Sequence, residues 1–131
     1  MRALKGVWVL LLLFHSVFAA NVNSIYTEDK LAVIVSANHP EFIIKLKSNP
    51  TTGYSWFLRS YDANLIKPVK HVFEPPVDKK LMGASGYDVW TFRVKPAGFI
   101  VPQQSVIRFV YARPWTVDDD AQQLVFTVTM R

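Results

Sequence analysis

An antiparallel β-sandwich of immunoglobulin type is the fold this sequence predicts, and three observations predict it. Apolar and polar residues alternate over several short segments, turn residues punctuate the chain between them, and no segment sustains an apolar period of 3.6 residues. About seven short strands over roughly 110 residues fit one two-sheet domain. The chain of 131 residues contains no cysteine, so neither disulfides nor thiolate metal sites support the fold. Its core must hold it alone. Half of the residues are hydrophobic and 14% are aromatic, which supplies the area for such a core.

The first twenty residues read as a removable signal peptide, and residues 21–131 as the domain. Arg2 and Lys5 form a positive start, Val7 to Phe14 is an unbroken apolar run, and Ala19-Ala20 offers small residues for cleavage after either one. His15 and Ser16 end the run before it reaches the length of a membrane span. The expectation is an exported protein, periplasmic or secreted, with no membrane attachment after cleavage. Removing this segment takes two of the 15 Lys and Arg and none of the 10 Asp and Glu, leaving 13 − 10 = +3. Those cations are scattered, with no basic stripe interleaved with aromatics, which argues against a nucleic-acid interface.

Along the domain, residues 24–26 and 31–35 read as short strands, the second rich in Val and Ile. Asn38-His39-Pro40 signals a turn. Residues 42–47 alternate, with Phe42, Ile44 and Leu46 on one face and Lys45 and Lys47 on the other. In residues 54–60, Trp56 and Leu58 share a face. Residues 65–73 form a further strand in which Pro68 marks an edge or a bulge. Residues 88–94 give the clearest alternation, with Trp90, Phe92 and Val94 together; Pro96-Ala97-Gly98 then turns the chain. Ile107, Phe109 and Tyr111 define the face of residues 106–112, and Leu124, Phe126, Val128 and Met130 that of residues 124–130.

Three loops stand out between these strands. The first, Asn49-Pro50-Thr51-Thr52-Gly53-Tyr54, is stiff: Pro50 fixes its own φ and pushes Asn49 toward an extended conformation, while Gly53 admits the positive φ of a tight reversal. Thr51 and Thr52 sit at its tip. An ordinary hairpin turn accounts for Pro50 and Gly53 equally well. The second, residues 74–86, is stiffened by Pro75 and Pro76 and loosened by Gly83 and Gly86. The third holds Arg113, Pro114 and Trp115, followed by Asp118, Asp119 and Asp120. If successive strands run up and down, all three loops emerge at one end of the sandwich.

Catalysis finds no support in these residues. His39 and His71 remain once His15 leaves with the signal peptide, and neither lies near a nucleophile motif or a zinc pattern. His71 reads as a strand-surface residue. The aspartate run lacks the spacing and terminal Glu of a calcium loop and reads as a solvated turn. No cofactor or metal is implied. Binding is better supported, because Trp and Arg are the residue types that most often anchor interfaces. Trp115 either stands exposed for a partner or folds back on the sandwich. Met82 is either a flexible apolar plug for a partner's pocket or a contact beneath its own loop.

Taken together, Asn49-Pro50-Thr51-Thr52-Gly53-Tyr54, Leu81-Met82-Gly83-Ala84-Ser85-Gly86 and Arg113-Pro114-Trp115 resemble, in order and spacing, the motifs of the chagasin family, immunoglobulin-like protein inhibitors of papain-like cysteine proteases. Pro75-Pro76 and Lys80-Leu81 are further matches, and the resemblance runs from about Leu31 to Met130. It implies a reversible, tight-binding competitive inhibitor, not an enzyme, acting on papain and cathepsin L-type proteases. Pro50 to Gly53, with Asn49 and Tyr54 flanking them, would enter the active-site cleft near the catalytic cysteine. Residues 81–86 would run along the non-primed subsites, and Arg113, Pro114 and Trp115 would contact the primed side. Two positions depart from the family pattern: Ser85 stands where a glycine is common, and Val117 with three aspartates replaces a Gly-Pro-like turn. An exported immunoglobulin-like adhesion module with no protease target is the alternative, distinguished by an exposed hydrophobic edge strand. An exported hydrolase would need a nucleophile–base pair, which the sequence lacks. A monomer is the default.

Overall fold

The computed structural model describes residues 24–78, 83–116 and 121–131. The proposed signal peptide lies outside the described residues, as do Leu81, Met82 and the aspartate run. Among the described residues, eight strands form two four-stranded sheets. In chain order they are β1 (Ser24–Tyr26), β2 (Ala32–Val35), β3 (Glu41–Ser48), β4 (Ser55–Ser60), β5 (Ile66–Glu74), β6 (Gly86–Val94), β7 (Gln103–Ala112) and β8 (Gln122–Met130). One sheet has the order β1-β3-β6-β5 and the other β2-β8-β7-β4.

The long strands pair antiparallel, but the two short N-terminal strands do not. β1 lies parallel to β3, and β2 lies parallel to β8. The chain crosses from an edge of one sheet to an edge of the other between Tyr26 and Ala32, so these strands cannot close a hairpin with each other. Tyr26 marks the crossing: its hydroxyl bonds the Ile34 backbone at 3.3 Å, joining β1 to β2. Pro68 is both at an edge and at a bulge. β5 borders its sheet, and the register with β6 shifts between Pro68 and Lys70, which accommodates a residue with no N–H to donate.

The alternating faces meet as the sequence predicts. Phe42, Ile44, Leu46, Phe92, Val94, Ile107, Phe109, Phe126, Val128 and Met130 are all buried. Their aromatic rings form a column across the sandwich. Phe42 stacks on Phe92 within one sheet, Phe92 meets Phe109 edge-on at 6.1 Å across the gap, and Phe109 meets Phe126 edge-on at 5.8 Å. Trp90, Tyr111 and Leu124, nearer the loops, are only partly buried. β7 begins three residues before the apolar pattern does, because Gln103 and Gln104 pair with Met130 and Thr129. Gln103 also donates to the carbonyls of Ala97 and Gly98, tying down the short 3-10 turn Pro96–Phe99.

Register fixes where the loops emerge. Ser48 pairs with Gly86 and Glu74 with Tyr87, while Ser55 pairs with Ala112 and Tyr111 with Gln122. The connections β3–β4, β5–β6 and β7–β8 therefore leave from the same pole. β1 starts opposite Phe42, near the beginning of β3, and β8 runs away from the loops. The chain thus enters β1 and leaves β8 at the other pole.

Phe92 stacks with Phe42 and Trp90 in its own sheet and meets Phe109 edge-on in the other. Phe92→Ala is expected to lower unfolding free energy by about 3–5 kcal/mol, read from the urea midpoint at unchanged slope.

Candidate functional site

The first loop is held by its own side chains. Pro50–Thr52 forms one 3-10 turn capped by Asn49, whose Oδ1 accepts from the Thr51 amide at 3.3 Å and from the Thr51 hydroxyl at 2.6 Å. The Thr52 hydroxyl donates to the Asn49 carbonyl at 2.7 Å, and the Gly53 amide donates to the Pro50 carbonyl at 3.0 Å. Gly53 ends the turn at φ +80°, the left-handed region that glycine enters without penalty. Thr51 and Thr52 are exposed at the tip. Pro50 in the turn and the left-handed Gly53 are as the sequence predicts. Asn49 is not fully extended, at φ −122° and ψ 89°, and its side-chain cap adds a restraint that residue spacing alone did not reveal.

The third loop leans on the first. Trp115 is 72% exposed, yet its indole rests against Gly53: a methyl group on Gly53 would lie 3.2 Å from the Trp115 Cη2 atom. Trp115 therefore does not fold back on the sandwich. Arg113 lays its guanidinium over the Tyr54 ring, 4.7 Å from the centroid. Tyr54 stacks on Tyr111 at 5.3 Å, and Tyr111 packs on Trp56 at 4.9 Å. Pro114 is exposed beside them.

Of the second loop, Gly83, Ala84 and Ser85 are described; Leu81 and Met82 are not. Gly83 is exposed at φ +82° with open space around it, and Ser85 is exposed as well. Gly86 differs from its neighbours in the motif because it is buried. A methyl group there would fall 2.4 Å from the Glu74 carbonyl oxygen and 2.5 Å from the Phe73 ring. Its small size lets β5 and β6 close together at the base of the loop. Lys45 also steadies that base, 3.2 Å from Glu74 and over the Tyr87 ring.

His71 is exposed on β5 but not isolated. Its ring stacks on Trp90 at 3.8 Å, and its Nε2 lies 3.0 Å from Oδ1 of the buried Asp88. Among the described residues, no three His, Asp or Glu side chains converge on a common point. The edge strand β5 exposes Val69, Val72 and Phe73. Lys67, Lys70, Pro68 and the register shift interrupt it, and these are features that discourage strand addition.

The fold is an immunoglobulin-type sandwich whose connections β3–β4, β5–β6 and β7–β8 emerge at one pole. The chain belongs to the chagasin family of peptidase inhibitors, family I42, whose model matches residues 37–130. Chagasin of Trypanosoma cruzi is 35% identical over 77 residues, covering 56% of this chain and 64% of chagasin. The matched region thus spans just under two thirds of that relative's length. Among solved structures, a cysteine protease inhibitor of Entamoeba histolytica superposes with a TM-score of 0.67 at 21% identity, covering 82% of this chain and 95% of that one. Amebosin gives 0.63 at 20% identity, covering 83% and 98%. These two likenesses are of fold.

Gly53 is the point where two loops touch. Gly53→Ala is expected to cost about 1–2 kcal/mol from the left-handed backbone and to push the indole of Trp115 away. The checks are chemical denaturation and the Trp115 Nε1–H resonance in a nitrogen-correlated NMR spectrum.

Proposed function

We propose that this protein is a reversible, tight-binding competitive inhibitor of papain-like cysteine proteases that performs no chemistry of its own. The observation that carries the reading is the joined pair of loops: the capped tip of Thr51 and Thr52 stands beside an exposed Trp115 on one stiff surface. Membership of the chagasin family supports it. Such a surface fits a cleft as a wedge. Loops ordered before docking lose little entropy on binding. A tip that fills the cleft without offering a peptide bond in attack geometry blocks hydrolysis and survives it.

In this reading Asn49, Pro50, Thr51, Thr52, Gly53 and Tyr54 build the central prong. Arg113, Pro114 and Trp115 build one flank, and Leu81 to Ser85 the other, with Gly86 as its structural base. An interface of roughly 1,600 Å² in total is the ordinary size for a protease–inhibitor pair. Export through the signal peptide, and action as a monomer, belong to the same proposal. Ser85 and Asp118 to Asp120 would tune which proteases are taken, the aspartates by repelling an acidic cleft rim.

The test is a titration of active-site-quantified papain and a cathepsin L-type enzyme with the mature domain. Stoichiometric, reversible loss of activity with uncleaved inhibitor recovered is the expected result. No inhibition at micromolar concentration by a folded domain overturns the proposal. Trp115→Ala is expected to raise the inhibition constant about 30-fold or more, the loss of an exposed aromatic anchor. The pair Thr51→Ala and Thr52→Ala should weaken inhibition with the fold intact. Full inhibition by both variants refutes the loop assignment.

A further inference from the structure

We propose that Tyr111, which lies outside the three loop motifs, is the positioning residue of this surface: clamped between Trp56 and Tyr54, its ring locks the first and third loops into one body. The effect on inhibition rests on the reading given above. The effect on the loops rests on geometry alone.

Strand pairing between β4 and β7 ends at Ser55 and Ala112. Beyond that point the two chains part into separate loops, and side chains take over the joining. Trp56 and Tyr111 are direct cross-strand partners. Tyr54 and Arg113, two residues further along each chain, fall on the same face by the alternation of extended backbone. The result is a zipper from a fixed end to a free one. Trp56 is only 4% exposed and donates its indole N–H to the Lys47 carbonyl at 2.8 Å. Tyr111 packs on Trp56 at 4.9 Å and on Tyr54 at 5.3 Å. Arg113 covers Tyr54 at 4.7 Å. Gly53 then receives the Trp115 indole.

Members of this zipper alternate between the two chains. Among the described residues, Tyr111 is the rung whose ring packs on aromatic rings at both ends, Trp56 below and Tyr54 above. Without it, Tyr54 and Arg113 keep each other but lose their footing on the buried Trp56. The tip of the first loop and the indole of Trp115 then no longer hold a set separation, and a wedge of two independent prongs must be ordered again on docking.

The test compares the wild-type domain with Tyr111→Leu and Tyr111→Phe at 25 °C, each shown folded. Two quantities are read: backbone order parameters of residues 51–53 and 113–116 in the free domain, and the inhibition constant for papain. For Tyr111→Leu, order should fall in both loops together and the inhibition constant should rise about tenfold or more. Tyr111→Phe keeps the ring and should match wild type in both readouts. A role confined to stability would move neither quantity in the folded protein.

Loops as ordered in Tyr111→Leu as in wild type overturn the proposal, as does a Tyr111→Phe variant as damaged as Tyr111→Leu. If Tyr111→Leu does not fold, Tyr54→Leu breaks the next rung, and loosening of residues 113–116 by that change in the other loop is the expected sign. Unchanged order there overturns the proposal. A wild-type domain that fails to inhibit papain would sink the inhibitory reading, while the order parameters still decide the role of Tyr111.

Discussion

The hydrogen bond from the Trp56 indole to the Lys47 carbonyl joins the two sheets where the chain passes from one to the other. Packed sheets stand about 10 Å apart, and the first loop has to cross that gap and present its tip within a few residues. Trp56 fixes the far side of the crossing by reaching back to β3. Pro50, the Asn49 cap and the left-handed Gly53 then leave the remaining backbone little freedom. The first and third loops are referenced to this bond through the stack on Tyr111, the seat of Arg113 and the place of Trp115.

Much of this arrangement was legible in the sequence. Period-two alternation of large apolar residues in residues 42–47, 88–94 and 124–130 announced both strand and core face, because a half-buried strand leaves no other pattern. The backbone of the first loop was legible for the same kind of reason, since Pro50 and Gly53 permit few conformations. What stayed hidden was long-range or weakly encoded. Strands of three or four residues carry no register, so the parallel pairing of β1 and β2 could not be read. The polar start of β7 at Gln103 has no apolar signature. Residues Leu81 and Met82 of the second motif remain where the sequence left them.

Side-chain partnerships were the least legible. His71 reads from the sequence as a surface residue, and it is exposed, but its stacking on Trp90 and its bond to Asp88 arise from cross-strand register: His71 pairs directly with Trp90, beyond the shift between Pro68 and Lys70. The sequence leaves two orientations open for Trp115, because a loop tryptophan has no periodicity to consult. A signal did exist: Tyr54 and Trp56 on one side, and Tyr111, Arg113 and Trp115 on the other, are each spaced by two. That spacing carries the strand's face past the strand's end as far as Tyr54 and Arg113; Trp115 then lies in the turn closed by the Thr116 amide on the Arg113 carbonyl.

The position of the termini has a consequence for how such a domain is used. Since the chain enters β1 and leaves β8 at the pole opposite the loops, whatever is joined ahead of β1 or after β8 starts from the pole away from them. A tether to a membrane, a second copy in tandem or an affinity matrix would hold the domain by its handle and leave the blade clear. Geometry of this kind makes the fold portable: it can be joined to other proteins without redesign of its three loops.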